Sequence, residues 1–274
     1  MATIPKRKIR LPRNISMLIH GLSDAGKTVL ASCSPDLNPK EVQVVSDTIF
    51  LDSEGGMISH ITQGAGIIVP RYPEDPDALV DSNKTATAAI EYIMANKSWI
   101  RNVAFDSLDR FQELELDRSV KEKKHDRPEM QDWGDILQTV ERLCRSLPTW
   151  GANIVVTCHS ADDKDANDKL VKRMPFLRGS IQSKISSYFD VVGYYELTRD
   201  DKGQELRRLH VKGSNQSYAR SRLGGCLPAV IDNPTIPGII ATYNERRDAI
   251  IKRLSGHPNV QILDEPTFLG EQSK

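Results

Sequence analysis

Long apolar runs are missing from this 274-residue chain, and no signal-peptide pattern is present. The expectation is therefore a cytoplasmic protein with no membrane partner. Cysteine is scarce: Cys33, Cys144, Cys158 and Cys226 stand far apart, without metal-ligand spacing, and read as reduced thiols rather than as a zinc site or a disulfide framework. Net charge is absent as well. The 37 Lys and Arg balance 37 Asp and Glu, so the sum of charges advertises no polyanion. What remains, 39% hydrophobic and 27% charged, is the composition of a globular protein with one large domain or one domain with small appendages.

The charge is less even than its sum. Residues 1–13 carry Lys6, Arg7, Lys8, Arg10 and Arg13 with no acid, while Pro5 and Pro12 oppose a helical targeting peptide. The stretch reads either as an extended basic arm or as a solvated terminus.

The most specific signal is Gly21-Leu22-Ser23-Asp24-Ala25-Gly26-Lys27-Thr28, followed by Val29, which fits G-x-x-x-x-G-K-[ST]. Four specified positions arise by chance in about one chain of this length in a hundred. Gly21 and Gly26 permit a tight loop whose N–H groups face an anion. Lys27 would reach the outer phosphates, and the Thr28 hydroxyl would ligate Mg²⁺. The apolar run Ile15–Ile19 before the loop predicts a buried strand, and Lys27 to Cys33 a short helix whose dipole favours phosphate.

Beyond Ser34-Pro35 the pattern predicts a strand over Val42–Leu51 that ends in Asp52-Ser53-Glu54-Gly55-Gly56. Acids at the end of a parallel strand face the ligand crevice of an open α/β sheet. Asp52 and Glu54 are therefore candidates, although the same residues suit a polar turn. Gly66–Val69 reads as a strand, Pro70 to Asn83 as a loop, and Thr85–Asn96 as a helix. Trp99 to Phe105 then runs into Asp106, an apolar strand ending in the carboxylate that would hold the Mg²⁺ shell. A helix is predicted over Ser107–Lys124, a loop over His125–Asp132, and a helical stripe from Trp133 to Leu147 in which Trp133 belongs to the core. Asn153–His159 reads as a further buried strand, with His159 at the same sheet edge. Ser160–Arg178 reads as a long polar loop, Ile181–Phe189 as a short helix, and 190–198 with 205–211 as a hairpin. Gly213–Gly225 is polar and basic. A last helix runs from Pro237 to near Gly256, and 257–274 lacks periodicity and reads as a mobile tail.

This order of motifs resembles the RecA-like ATPase core. Within it the chain is most similar to compact phage-type ATP-binding proteins, some of which anneal single strands. Gly21–Thr28, Phe50–Gly56, Gln131-Asp132-Trp133-Gly134, Val155–His159 and Phe189–Val192 carry the likeness, over roughly residues 14 to 225. The resemblance implies an α/β fold: a RecA-like core of mostly parallel sheet flanked by helices, with an antiparallel hairpin in the C-terminal part of the sheet. It implies three parts: a basic arm (1–13), an ATPase domain (14–256) and the tail (257–274). It further implies ATP and Mg²⁺ as cofactors, with Glu54 as the base that orients water, Asp106 acting on Mg²⁺ through water, and His159 as sensor of the terminal phosphate. Arg220 or Arg222 would act in trans in a homo-oligomer whose ATP sites lie between subunits. The implied partners are single-stranded DNA and a single-strand DNA-binding protein, and the location is the cytoplasm, of the host cell if the chain is phage-encoded. The stretches 119–131 and 160–178 fall where RecA-like proteins carry DNA-facing loops, with Lys121, Lys123, Lys124, Lys169, Lys172, Arg173 and Arg178 as candidate contacts. Asp162, Asp163, Asp165 and Asp168 oppose that role. In AAA+ ring ATPases the catalytic glutamate usually follows the Mg²⁺ aspartate; here Asp106 is followed by Ser107. The other reading is a nucleotide-switched interaction module that does not touch DNA.

Overall fold

A computed structural model describes residues 7–34, 47–54, 67–70, 100–164, 169–257 and 260–263. The predicted helix over 85–96, the predicted loop beyond Pro70 (which itself ends a strand), and the glycine pair Gly55-Gly56 lie outside the described residues. The frame is a ten-stranded sheet ordered β11-β9-β8-β2-β6-β5-β3-β4, with β7 paired to β6 and β10 to β8. Its strands are β2 (Ser16–Gly21), β3 (Thr48–Asp52), β4 (Ile67–Pro70), β5 (Asn102–Asp106), β6 (Asn153–Lys164), β7 (Leu170–Pro175), β8 (Val191–Arg199), β9 (Glu205–His210), β10 (Arg220–Ser221) and β11 (Val230–Asp232). From β4 to β8 the neighbours run parallel, whereas β7, β9, β10 and β11 are antiparallel to their partners. The mostly parallel sheet with its antiparallel hairpin is the fold class expected.

Helices cover both faces, which is why β2, β3 and β5 are buried at every position and carry apolar runs at Met17–Ile19, Ile49–Leu51 and Val103–Phe105. Alternation sorts the side chains. Leu18, Ile49, Leu51, Val103, Phe105 and Val156 face one core with α2 (Leu108–Glu122) and α3 (Met130–Ser146). Met17, Ile19, Phe50, Ala104 and Val155 face the other with α1 (Lys27–Ala31) and α5 (Ile236–Leu254). The predicted helix over Ile181–Phe189 is a short α4 (Ile181–Lys184) continued by a 3₁₀ turn, Ile185–Ser187. No helix among the described residues is long and apolar enough to cross a membrane.

Two stretches depart from the sequence reading. Within 160–178, expected as a loop, β6 runs on to Lys164 and pairs antiparallel with β7. The pairing sets Asp162 opposite Arg173 and Asp163 opposite Lys172. Opposite charges facing each other across an antiparallel pair stabilise it, so a stretch polar in composition still forms a ribbon. Within 257–274, expected as a mobile tail, Val260–Leu263 (β12) pairs in parallel with Arg7–Arg10 (β1), the basic part of the arm. The chain just after β1 is held to α5 by the Tyr243 hydroxyl, which donates to the Pro12 carbonyl at 2.6 Å.

Candidate functional site at the sheet edge

Parallel register brings the candidates to one edge. Gly21 ends β2 opposite His159 of β6, and Asp52 ends β3 opposite Asp106 of β5. At Gly21 any Cβ would stand 2.2 Å from the Tyr195 carbonyl oxygen, so only hydrogen fits between strand and loop. Gly26 turns the loop into α1 with φ +89°, a conformation that favours glycine. Between them Leu22, Ser23 and Asp24 are exposed. Lys27 is buried, and its ammonium donates to the carbonyls of Leu22 at 2.8 Å and Gly21 at 3.2 Å. Burial lowers its pKa, and the carboxylates of Asp106 and Glu54 oppose that shift.

Thr28 and Asp106 meet. The Thr28 hydroxyl donates to Asp106 Oδ2 at 2.7 Å, and the Thr157 hydroxyl donates to Oδ1. Burial raises the Asp106 pKa to about 6; the hydroxyl donors oppose the rise, and the nearby Glu54 and Asp52 carboxylates add to it. A buried carboxylate and a hydroxyl are the hard oxygen donors that suit Mg²⁺, so the residues present fit that ion.

Glu54 stands on the next strand end. Its Oε1 accepts from the Ser107 hydroxyl at 2.5 Å and lies 3.8 Å from His159 Nδ1. Asp52 takes the structural part of the pair, since its Oδ1 accepts the Glu54 backbone N–H at 3.1 Å and so fixes the turn that presents Glu54. Ser53 locks the two strand ends together: its hydroxyl accepts from the Ser107 N–H at 2.7 Å, and its backbone N–H donates to the Asp106 carbonyl at 2.7 Å. The Asp106–Ser107 peptide is cis.

Sequence reasoning missed Asp109. From the first turn of α2 its Oδ2 accepts from His159 Nδ1 at 2.7 Å, and its Oδ1 accepts the His159 backbone N–H at 3.1 Å. The hydrogen bond to Asp109 raises the His159 pKa against partial burial. Glu54, Asp109 and His159 each offer a ligating atom within 4.8 Å of the others. Together with Leu22, Ser23 and Phe176 they line a cleft of about 520 Å³ beside the phosphate loop. His20, the other histidine near the loop, is structural. It is fully buried between the Ser160 hydroxyl (2.9 Å) and the Tyr218 carbonyl (2.7 Å), and burial lowers its pKa to about 4.

The remaining candidates lie away from this cluster. The Arg220 guanidinium donates to the Ser186 hydroxyl at 3.3 Å and that of Arg222 to the Phe189 carbonyl at 2.8 Å, while both residues stay exposed. Lys121 and Lys124 are exposed at the end of α2, but Lys123 is engaged by Asp135 at 2.6 Å and Asp132 at 3.0 Å. On the β6–β7 hairpin, Lys169 is exposed and Lys172 lies over the Tyr218 ring. Arg173 pairs with Asp162 at 3.2 Å, so one of the acids that oppose DNA is itself neutralised. Arg178 lies over the ring of Trp133, which packs partly buried against the core.

A glycine loop between a buried strand and a helix, with a lysine, a threonine and a buried aspartate converging on it, defines a P-loop nucleotide-binding ATPase. The chain belongs to the AAA domain family, whose sequence model matches residues 13–223. Among solved structures, a KaiC-like protein from the hyperthermophilic archaeon Pyrococcus horikoshii OT3 is similar over 84% of this chain and 100% of that one, at 11% identity and a TM-score of 0.40. No curated protein is matched.

Proposed function

We propose that the chain is a Mg²⁺-dependent, RecA-like ATPase that acts on single-stranded DNA as a homo-oligomer. The observation that carries the hydrolytic part is the division of labour between two carboxylates. Asp106 is buried behind Thr28, while Glu54 opens on the cleft beside His159. Lys27 leaves the Gly21 and Leu22 carbonyls to hold the β- and γ-phosphates. Thr28 and Asp106 would hold Mg²⁺, which when bound neutralises phosphate charge. Glu54, steadied by Ser107, orients the attacking water and takes its proton; His159, steadied by Asp109, contacts the terminal phosphate. This is positioning and electrostatics rather than covalent chemistry. Arg220 or Arg222 reaches the site of a neighbouring subunit.

The DNA part rests on continuity. The β6–β7 hairpin with Lys172 and Arg173 begins directly after His159, so a change at the terminal phosphate has a short route to the hairpin. The test is the ATPase rate with and without single-stranded DNA across salt. Stimulation should be present at low salt and fade as salt rises, because phosphate contacts release counterions. No stimulation even at the lowest salt would refute the DNA reading and favour a nucleotide-switched interaction module.

A further inference from the structure

Arg207 lies against the phosphate loop from the side opposite the carboxylates. In the sheet order β9 and β8 flank β2 on one side, and β6, β5 and β3 flank it on the other. Arg207 belongs to β9, yet its Nε comes within 3.0 Å, and its Cζ and Nη2 within 3.7 Å, of where a Cβ on Gly26 would sit. The loop residue beside Lys27 thus carries no side chain where this guanidinium packs. The side chain is 16% exposed. Its base is fixed, since the Arg207 N–H donates to Asn233 Oδ1 at 3.1 Å and its carbonyl accepts from the Asn233 N–H at 2.6 Å. The ion pair it forms with Glu205 is long, 3.8 Å, and Glu205 is 61% exposed, so that pair is weak.

A planar fork of N–H donors matches phosphate oxygens better than any other side chain. Two cations then meet the same loop at its two ends, the Lys27 ammonium at Gly21 and Leu22 and the Arg207 guanidinium at Gly26. We propose that Arg207 is a nucleotide-binding residue acting in cis, on the phosphate nearer the nucleoside, which ATP and ADP share. The placement follows from the sheet: of the groups assigned to the terminal phosphate, His159 stands on β6, and Asp106 and Glu54 stand beyond it, all on the side of β2 away from β9. The inference rests on the ATPase reading and adds a residue to it. An interaction with the shared part of the nucleotide binds ground state and transition state alike, so it sets affinity and leaves kcat in place. A trans-acting arginine would do the reverse.

The test is calorimetric titration of the full chain with ATP and with ADP in Mg²⁺, alongside steady-state turnover and thermal melting. Arg207→Gln should weaken ATP and ADP by the same factor, about tenfold or more, as loss of a charge-assisted hydrogen bond does, with kcat within about twofold of the parent. Arg207→Lys, which keeps charge and bulk, guards against a folding defect and should weaken both by about threefold, since an ammonium cannot pair bidentately. Glu205→Gln should bind as tightly as the parent or tighter. Unchanged affinities in both Arg207 variants would overturn the proposal, as would a loss confined to ATP or to kcat. Lys27→Ala is the separate control: if it binds as tightly as the parent, the ATPase reading falls together with the role of Arg207. If it loses binding while the Arg207 variants do not, only the role of Arg207 falls.

Discussion

Replacing Asp106 by Asn should stabilise the nucleotide-free protein at alkaline pH while abolishing turnover. The reason is the cost of a charge that three sides of the site crowd. Asp106 is 3% exposed, burial lifts its pKa from 3.8 to about 6, and the Glu54 and Asp52 carboxylates add to the rise. A rise of that size corresponds to roughly 3 kcal/mol between the two protonation states. Asparagine has the same shape, removes the charge, and still accepts from one of the two threonine hydroxyls while the other turns to accept from the amide. The weakened hydrogen bonds return about 1 kcal/mol, which leaves a gain on the order of 1–2 kcal/mol, or about 2–8 °C in Tm for a chain of this size. The sign fixes the pH window. Because the folded pKa is raised, the protonated carboxyl's contribution is complete below 3.8 and is lost as pH rises through about 6.

Parent and variant should therefore melt together near pH 4 and diverge by pH 8, with the variant higher. The assay is thermal unfolding in EDTA without nucleotide, at both pH values. Adding Mg²⁺ and ATP should reverse the order at pH 8, since a ligand bound only by the folded parent raises its stability by mass action. A variant no more stable than the parent at pH 8, or a gap of the same size at both pH values, would refute the reasoning.

Glu54→Gln should bind ATP as the parent does and lose turnover by about a hundredfold or more, the size of a general-base contribution; unchanged single-turnover rates would return Glu54 to the role of a turn residue. Asp109→Asn should let the His159 pKa fall back, read by NMR titration of the imidazole, because the Asp109 hydrogen bond is what raises it. His159 contributes stability that is complete below its ordinary value of 6.5 and is lost as pH rises through the raised one, so Asp109→Asn should lower Tm more at pH 6 than at pH 9. An equal loss at both pH values would mean that Asp109 supports the backbone N–H of His159 and not its ring.

The phosphate loop and its two partner strands are legible because the sheet buries both its faces. Fully buried β2, β3 and β5 carry the apolar runs Met17–Ile19, Ile49–Leu51 and Val103–Phe105, and the acids that close β3 and β5 stand out at the edge. Asp106 was found that way, and His159 by following the buried run of β6, which continues past it to Lys164. Asp109 was not, because an acid in the first turn of a helix complements the helix dipole wherever it occurs and so signals nothing by itself. The pairing of 160–164 with 170–175 was hidden for a related reason. Its acids and bases stabilise each other only across the pair, and along either strand they look like a solvated loop. The pairing of Arg7–Arg10 with Val260–Leu263 joins short segments from opposite ends of the chain, and no local pattern records such a partner.

Those same strand ends explain why the site is costly to the free protein. Parallel register sets Asp52 beside Asp106, and the turn after β3 brings Glu54 close, so acids from two neighbouring strands share one edge. Lys27 faces them but spends its hydrogen bonds on the Gly21 and Leu22 carbonyls. The hydrogen-bond partners of Asp106 and Lys27 here are neutral, threonine hydroxyls for the one and backbone carbonyls for the other, and a cation and an anion would bind each of them more strongly. A metal–nucleotide complex supplies both together, which neither the metal nor the nucleotide does alone. Binding of the two should therefore be cooperative, each raising the affinity for the other by the same factor.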